Sequence, residues 1–210
     1  MIKIHHLNNS RSQRMMWFLE ELGCEYEIVH YQRDQETSLA PDSLKEIHPL
    51  GKSPVLEDGD VKIAESGAIV EYLARTYGNG QFSLTESDAD YNAYLEWLHY
   101  AEGSLMLPLL LRLYTSRLGD AAAPLQPRIQ SEIANHFSYV ANSLGGKEFF
   151  AGGKLTGADI QMLFPIEAMH SSGALVHFPN LVAYVERMQA RPAYMRGIER
   201  GGEYIHGPKG

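Results

Sequence analysis

The stretch Ile47-His48-Pro49-Leu50-Gly51-Lys52-Ser53-Pro54-Val55-Leu56, followed by Ala64-Glu65-Ser66-Gly67-Ala68-Ile69, constrains this chain more than any other. It reads as a proline-punctuated loop, a short apolar strand, a tight turn at Asp58-Gly59-Asp60 and a helix that opens on Glu-Ser. A proline at a strand start cannot donate to a sheet ladder, so Pro54 marks a sheet edge. A helix start beside that edge brings backbone and hydroxyl groups next to a helix dipole, a pocket suited to a small, extended, anionic peptide.

Hydrophobic periodicity places the surrounding elements. Residues 2–6 read as a strand, and residues 12–22 as a helix with Met15, Phe18, Leu19 and Leu22 on one face and Gly23 at its end. Tyr26, Ile28 and Tyr31 mark a second strand, and 41–47 a short helix or turn. Val55-Leu56 and Val61–Ile63 flank a hairpin, and 65–77 is a helix with Ile69, Val70, Leu73 and Tyr77 on its apolar side. The order β-α-β-α-β-β-α predicts an α/β domain with a mixed sheet covered by helices over residues 1–78.

Residues 79–87 have linker composition, and 88–210 read as all-helical. Tyr94, Leu98, Ala101 and Leu105 recur at helical spacing, in a pattern that continues toward Tyr114. Further helices are expected at 126–144, 157–172, 179–190 and 192–200, with breaks at 119–127 and at Gly145-Gly146; the tail from Gly201 is expected to fray. Thr156-Gly157-Ala158-Asp159 is a capping box, with Leu155 and Ile160 as a hydrophobic staple. If capping is its only task, Asp159→Ala should cost about 1 kcal/mol.

Composition excludes several classes. No apolar run approaches the roughly 18–20 residues that span a bilayer, and the N-terminus lacks the apolar core of a signal peptide. A single cysteine, Cys24, excludes an internal disulfide framework and fits a reducing compartment. The net charge of −8, with no Lys/Arg cluster, argues against a nucleic-acid partner. The expectation is a cytoplasmic protein. The histidines show no metal spacing, and no GxGxxG, P-loop or Gx-Ser-xG pattern occurs.

Four groups of residues could carry chemistry. The Ser53-Pro54 bond, if cis, would turn a backbone N–H and C=O outward to pair with a peptide; the trans form is the commoner, since only about 5–6% of X–Pro bonds are cis. Glu65-Ser66 opens a helix, so Ser66 is either a cap or part of an anion site. Ser10, ahead of the first helix, is either its N-cap or a donor to a thiolate, with Arg11 and Arg14 solvated or steering an anion. Cys24 follows a helix end without Cys-x-x-Cys spacing and reads as packing.

These motifs together resemble the soluble glutathione transferases over nearly the whole chain. Residues 49–56 look like that family's cis-proline loop, Glu65–Ile69 with Tyr72-Leu73 like its glutathione-anchoring helix, and Thr156–Ile160 like its helical-domain capping box. His6-x-x-x-Ser10-Arg11 and Tyr100–Leu105 suggest the bacterial and fungal branch that includes the yeast type I enzymes. The resemblance implies a thioredoxin-like N-terminal domain, an all-α C-terminal domain and a homodimer. It implies glutathione as co-substrate and no metal. Ser53 beside a cis Pro54 would hold the cysteinyl part, Glu65 and Ser66 the γ-glutamyl end, and Lys52 with His48 the glycyl carboxylate. Ser10 would stabilise the thiolate, with Asn9 or Arg11 as alternatives. A hydrophobic electrophile would lie between the domains near Leu7, Tyr100, Ser104, Met106 and Tyr114. The implied reaction is conjugation of glutathione to that electrophile, or glutathione-dependent peroxide reduction. Two other readings are a non-catalytic interaction module and a carrier of hydrophobic ligands.

Overall fold

A computed structural model describes residues 1–208. The chain divides into two compact units: Met1–Ser83 together with the segment from Glu186 onward, and Leu84–Val185. The division differs from the expected domains of 1–78 and 88–210, because the last helix groups with the first unit.

In the first unit four strands form one sheet in the order β2-β1-β3-β4: β1 (Ile2–Leu7), β2 (Tyr26–Tyr31), β3 (Val55–Asp58) and β4 (Val61–Ala64). β1 pairs parallel to β2, with Ile4 opposite Ile28, and antiparallel to β3, with Ile4 opposite Leu56. The parallel pair requires a crossover, supplied by α1 (Gln13–Leu22), which ends on Gly23 in the left-handed conformation. A short helix, α2 (Ser43–Ile47), precedes the hairpin, and α3 (Ser66–Tyr77) follows it.

α1 is buried on more than the face its periodicity announced. Met15, Phe18 and Leu19 are buried, and so are Met16 and Trp17. The second face is covered by α9 (Pro192–Gly201). Gln13 Nε2 donates to the Gly197 carbonyl at 3.0 Å, and Arg191 clasps Glu21 at 2.5 and 3.0 Å. Arg196 and Arg200 both reach Glu20, at 2.7 and 3.0 Å. The tail does not fray as expected: Ile205 N–H donates to Asn9 Oδ1 at 2.9 Å, and Gln189 Nε2 donates to the His206 carbonyl at 3.1 Å.

The second unit is helical. α4 (Tyr91–Tyr100) runs through a π-helical turn, Ala101–Leu105, into α5 (Met106–Thr115). Tyr94, Leu98, Ala101 and Leu105 are buried as expected, but the pattern does not reach Tyr114, which is 63% exposed: at about 3.6 residues per turn it lies on the face of the helix opposite Leu105. A 3₁₀ segment, Ser116–Leu125, leads into α6 (Gln126–Leu144). The expected break at 119–127 therefore narrows to Gly119, and Pro127 lies in the first turn of α6, where its missing N–H is tolerated.

α7 (Gly157–Ser171) is buried on all sides and packs against α4; α8 (Pro179–Gln189) follows it. The capping box forms as read, but Asp159 does more than cap. Its Oδ2 accepts from Thr156 N–H and Oγ1 at 3.0 and 3.1 Å, and its Oδ1 accepts from Phe150 N–H and the Tyr184 hydroxyl at 3.0 and 3.1 Å. Among the described residues no helix is long and apolar enough to cross a membrane.

Candidate active site

The sheet topology brings three chain segments to one end of the first unit. β1 ends there, β3 antiparallel to it begins there, and β4, antiparallel to β3, ends there and delivers the start of α3. Asn9, Ser10 and Arg11, Ser53 and Pro54, and Glu65 and Ser66 therefore share one edge.

Ser53 is tied to that edge through its side chain. Its hydroxyl donates to the His5 carbonyl at 2.8 Å and accepts from Leu7 N–H at 3.1 Å. The Ser53-Pro54 bond is cis and Pro54 is buried. Among the described residues the backbone N–H and C=O of Ser53 make no hydrogen bond.

The start of α3 departs from the reading of Ser66 as a simple cap. Glu65 is the N-cap, exposed, at φ 69° and ψ 116°. A non-glycine residue held there is strained, and such strain concentrates at ligand sites. Ser66 is the first helical residue, 4% exposed, and its Oγ accepts from Arg14 Nη2 at 2.9 Å. Arg14 is itself 4% exposed, so it is not a solvated charge: it links α1 to the start of α3. Its sequence signal was present, an arginine one helical turn after Ser10, but charge alone does not distinguish a buried strut from a surface cation.

Ser10 is buried and is not the N-cap of α1; Ser12 holds that position. Ser10 Oγ lies 2.8 Å from Ser12 Oγ and accepts from Ser12 N–H at 3.2 Å, while Ser12 Oγ lies 2.7 Å from His6 Nδ1. Burial drives the His6 pKa down to about 4, with His30 pushing the same way and the Gly201 carbonyl opposing, so the ring is neutral near pH 7. Asn9, at φ 51°, accepts from Ile205 N–H at its Oδ1. Arg33 braces the same loop: its Nε donates to the Asn8 carbonyl at 3.1 Å and its N–H to Asn8 Oδ1 at 2.8 Å. Ser12 and Arg33 were not singled out in the sequence, since nothing local separates them from ordinary loop residues.

The remaining candidates are placed as follows. Arg11 is partly buried and Lys52 exposed; His48 Nδ1 accepts from Leu50 N–H at 3.4 Å. In the first unit Leu7 is buried at 3%. In the second, Tyr100 places its hydroxyl 2.5 Å from His136 Nδ1, Ser104 lies in the π turn, and Met106 is buried. Burial, aided by Asp58, pushes the Cys24 thiol up, away from a reactive thiolate.

Comparison with known proteins identifies the family. The N-terminal domain profile of glutathione S-transferases matches residues 1–75, and the C-terminal domain profile residues 104–192. Glutathione S-transferase 3 of Schizosaccharomyces pombe is 35% identical over 218 residues, spanning 95% of this chain and 88% of the relative. Glutathione S-transferase 1 of Saccharomyces cerevisiae is 32% identical over 223 residues, spanning 95% and 94%. The crystal structure of a glutathione S-transferase from Actinobacillus pleuropneumoniae superimposes with a TM-score of 0.89 at 35% identity, covering 98% of this chain and 94% of that one. With both domain profiles matched in order and relatives this similar over nearly their full length, the chain belongs to the glutathione S-transferase family.

Proposed function

We propose that this protein is a working glutathione transferase that binds glutathione at the shared edge, holds its thiol as thiolate and transfers it to a small hydrophobic electrophile. The observation that carries the reading is the unpaired backbone N–H and C=O of Ser53, next to the start of α3. An extended peptide can add to such an edge as a strand does. The γ-glutamyl carboxylate then meets Ser66 and the helix dipole beside Glu65, and Lys52 with His48 faces the glycyl carboxylate. Ser10 donates to the sulfur, with Asn9 and Arg11 as the neighbouring alternatives. Peroxide reduction by the same thiolate is compatible with this site. Family membership further supports a homodimer acting in the cytoplasm.

A free thiol has a pKa of about 8.5, so it is mostly protonated at neutral pH. A charge-assisted hydrogen bond and a helix N-terminus supply about 1–2 kcal/mol each, which brings the bound thiol near neutrality. Titrating the protein with glutathione while following the ultraviolet absorbance of the thiolate tests this. The expected result is a saturable thiolate signal below the free thiol's pKa. Ser66→Ala should weaken glutathione binding roughly tenfold, and Ser10→Ala should lower turnover roughly tenfold with binding little changed. Equal binding by Ser66→Ala removes the anion-site assignment, and unchanged turnover in Ser10→Ala moves the role to Asn9 or Arg11. Absence of glutathione binding defeats the enzyme reading and leaves an interaction module.

A further inference from the structure

Behind Ser10 lies a buried chain of three side chains, Ser10–Ser12–His6, with contacts of 2.8 and 2.7 Å. Ser12 and His6 are 0% and 1% exposed, so bulk water does not compete for these bonds. Each contact holds one proton, and the count of protons fixes the direction of the chain. Ser12 has a single hydroxyl proton. If His6 Nδ1 is a bare acceptor, Ser12 donates to it, and the proton between the two serines is Ser10's own. Ser10 then has none for a ligand. If Nδ1 carries a proton, His6 donates to Ser12, Ser12 donates to Ser10, and the Ser10 proton is released to point elsewhere. The Leu7 carbonyl, 3.3 Å from Ser12 Oγ, is the longest of the alternatives for the Ser12 proton. In the second arrangement Ser10 Oγ also accepts from Ser12 N–H, and a hydroxyl that accepts two bonds is a better donor.

We infer that Ser12 and His6 are positioning residues: with His6 in its Nδ1–H tautomer they form a donor chain that turns the Ser10 hydroxyl toward the sulfur of glutathione. This rests on the thiolate role proposed above for Ser10. The ring gains no net proton, and the proton released by the thiol leaves to solvent. The groups facing His6 are Ser12, the ring of His30 on β2, edge-on at 5.6 Å, and the Gly201 carbonyl of α9. His6 Nε2 is buried and makes no hydrogen bond among the described residues, while the Gly201 carbonyl beside the ring competes with Ser12 for the ring proton.

The test combines nitrogen NMR of the labelled histidine ring with thiolate titration of the full-length protein and its variants. In the wild-type glutathione complex His6 Nδ1 should be protonated. Ser12→Ala should raise the bound thiol's pKa by about half a unit to one unit and lower kcat near neutral pH roughly threefold to tenfold, with KM for glutathione unchanged. Ser12→Thr, which keeps the hydroxyl, should restore both. In a Ser10→Ala background Ser12→Ala should add nothing. A bare Nδ1 in the complex overturns the inference, and so does a Ser12→Ala effect that adds in full to that of Ser10→Ala. An unchanged thiol pKa in Ser10→Ala overturns the role of Ser10 itself, a separate failure. Should Ser12→Ala not fold, the wild-type nitrogen spectrum decides.

Discussion

Replacing Asp159 by alanine should lower the unfolding free energy by about 3 kcal/mol or more at neutral pH, well beyond the roughly 1 kcal/mol of a lost helix cap. The carboxylate is 0% exposed and accepts from Thr156 N–H and Oγ1, Phe150 N–H and the Tyr184 hydroxyl. Removing it strands four buried donors, each with a desolvation cost of about 1–3 kcal/mol, partly offset by relief of a buried charge. Denaturant unfolding of wild type and variant at several pH values checks the size and its origin. Burial raises the Asp159 pKa to about 6. The folded carboxyl thus binds a proton more tightly than the unfolded one, so its contribution to stability falls as pH rises from about 4 to about 6. The wild-type advantage over Asp159→Ala should therefore widen as pH is lowered through that window and flatten above it. A loss near 1 kcal/mol with no pH dependence would return Asp159 to a simple capping role.

The contrast between cap and hub shows what the sequence could convey. Thr156-x-x-Asp159 is a local signal, and local signals were legible: the strands and helices of the first 78 residues, the hairpin at Gly59, the extent of α6 and the capping box all follow from spacing of a few residues. The other partners of Asp159 come from Phe150 and Tyr184, on separate segments, and no spacing rule reaches them. The candidate site divides the same way. Ser53, Glu65 and Ser66 stand at element boundaries that the sequence marks, whereas the burial of Arg14 depends on α3 arriving beside α1. The chain behind Ser10 needs α1, β1 and β2 all in place, because His6 lies on β1 and packs against His30. The assignment of α9 to the first unit was the largest element missed. Met16 and Trp17, apolar on a second face of α1, were its one trace in the sequence.

That packing sets up the second large effect. Alanine in place of Gly197 should destabilise the protein by about 2–4 kcal/mol, although in an exposed helix the same change would stabilise it by up to about 1 kcal/mol. A methyl group there would lie 2.8 Å from the Trp17 backbone nitrogen, 3.0 Å from its Cα and 3.2 Å from the Met16 carbonyl carbon. These are backbone atoms of a helix and have no rotamer to move into, so α9 must lift away from α1. Lifting stretches Arg191–Glu21 and Arg196–Glu20 and opens water access to Trp17 and Met16, now 1% and 0% exposed. The measurement is the denaturation midpoint of Gly197→Ala, with amide exchange along α1 as the local probe. Faster exchange on α1 with a lowered midpoint is the expected pair of results; a raised midpoint would mean that propensity outweighs the contact and that α9 is not closely seated. The same lift reaches the candidate site, since Gly201 faces His6 from the end of α9 and Gln13, bonded to Gly197, follows Ser12 directly.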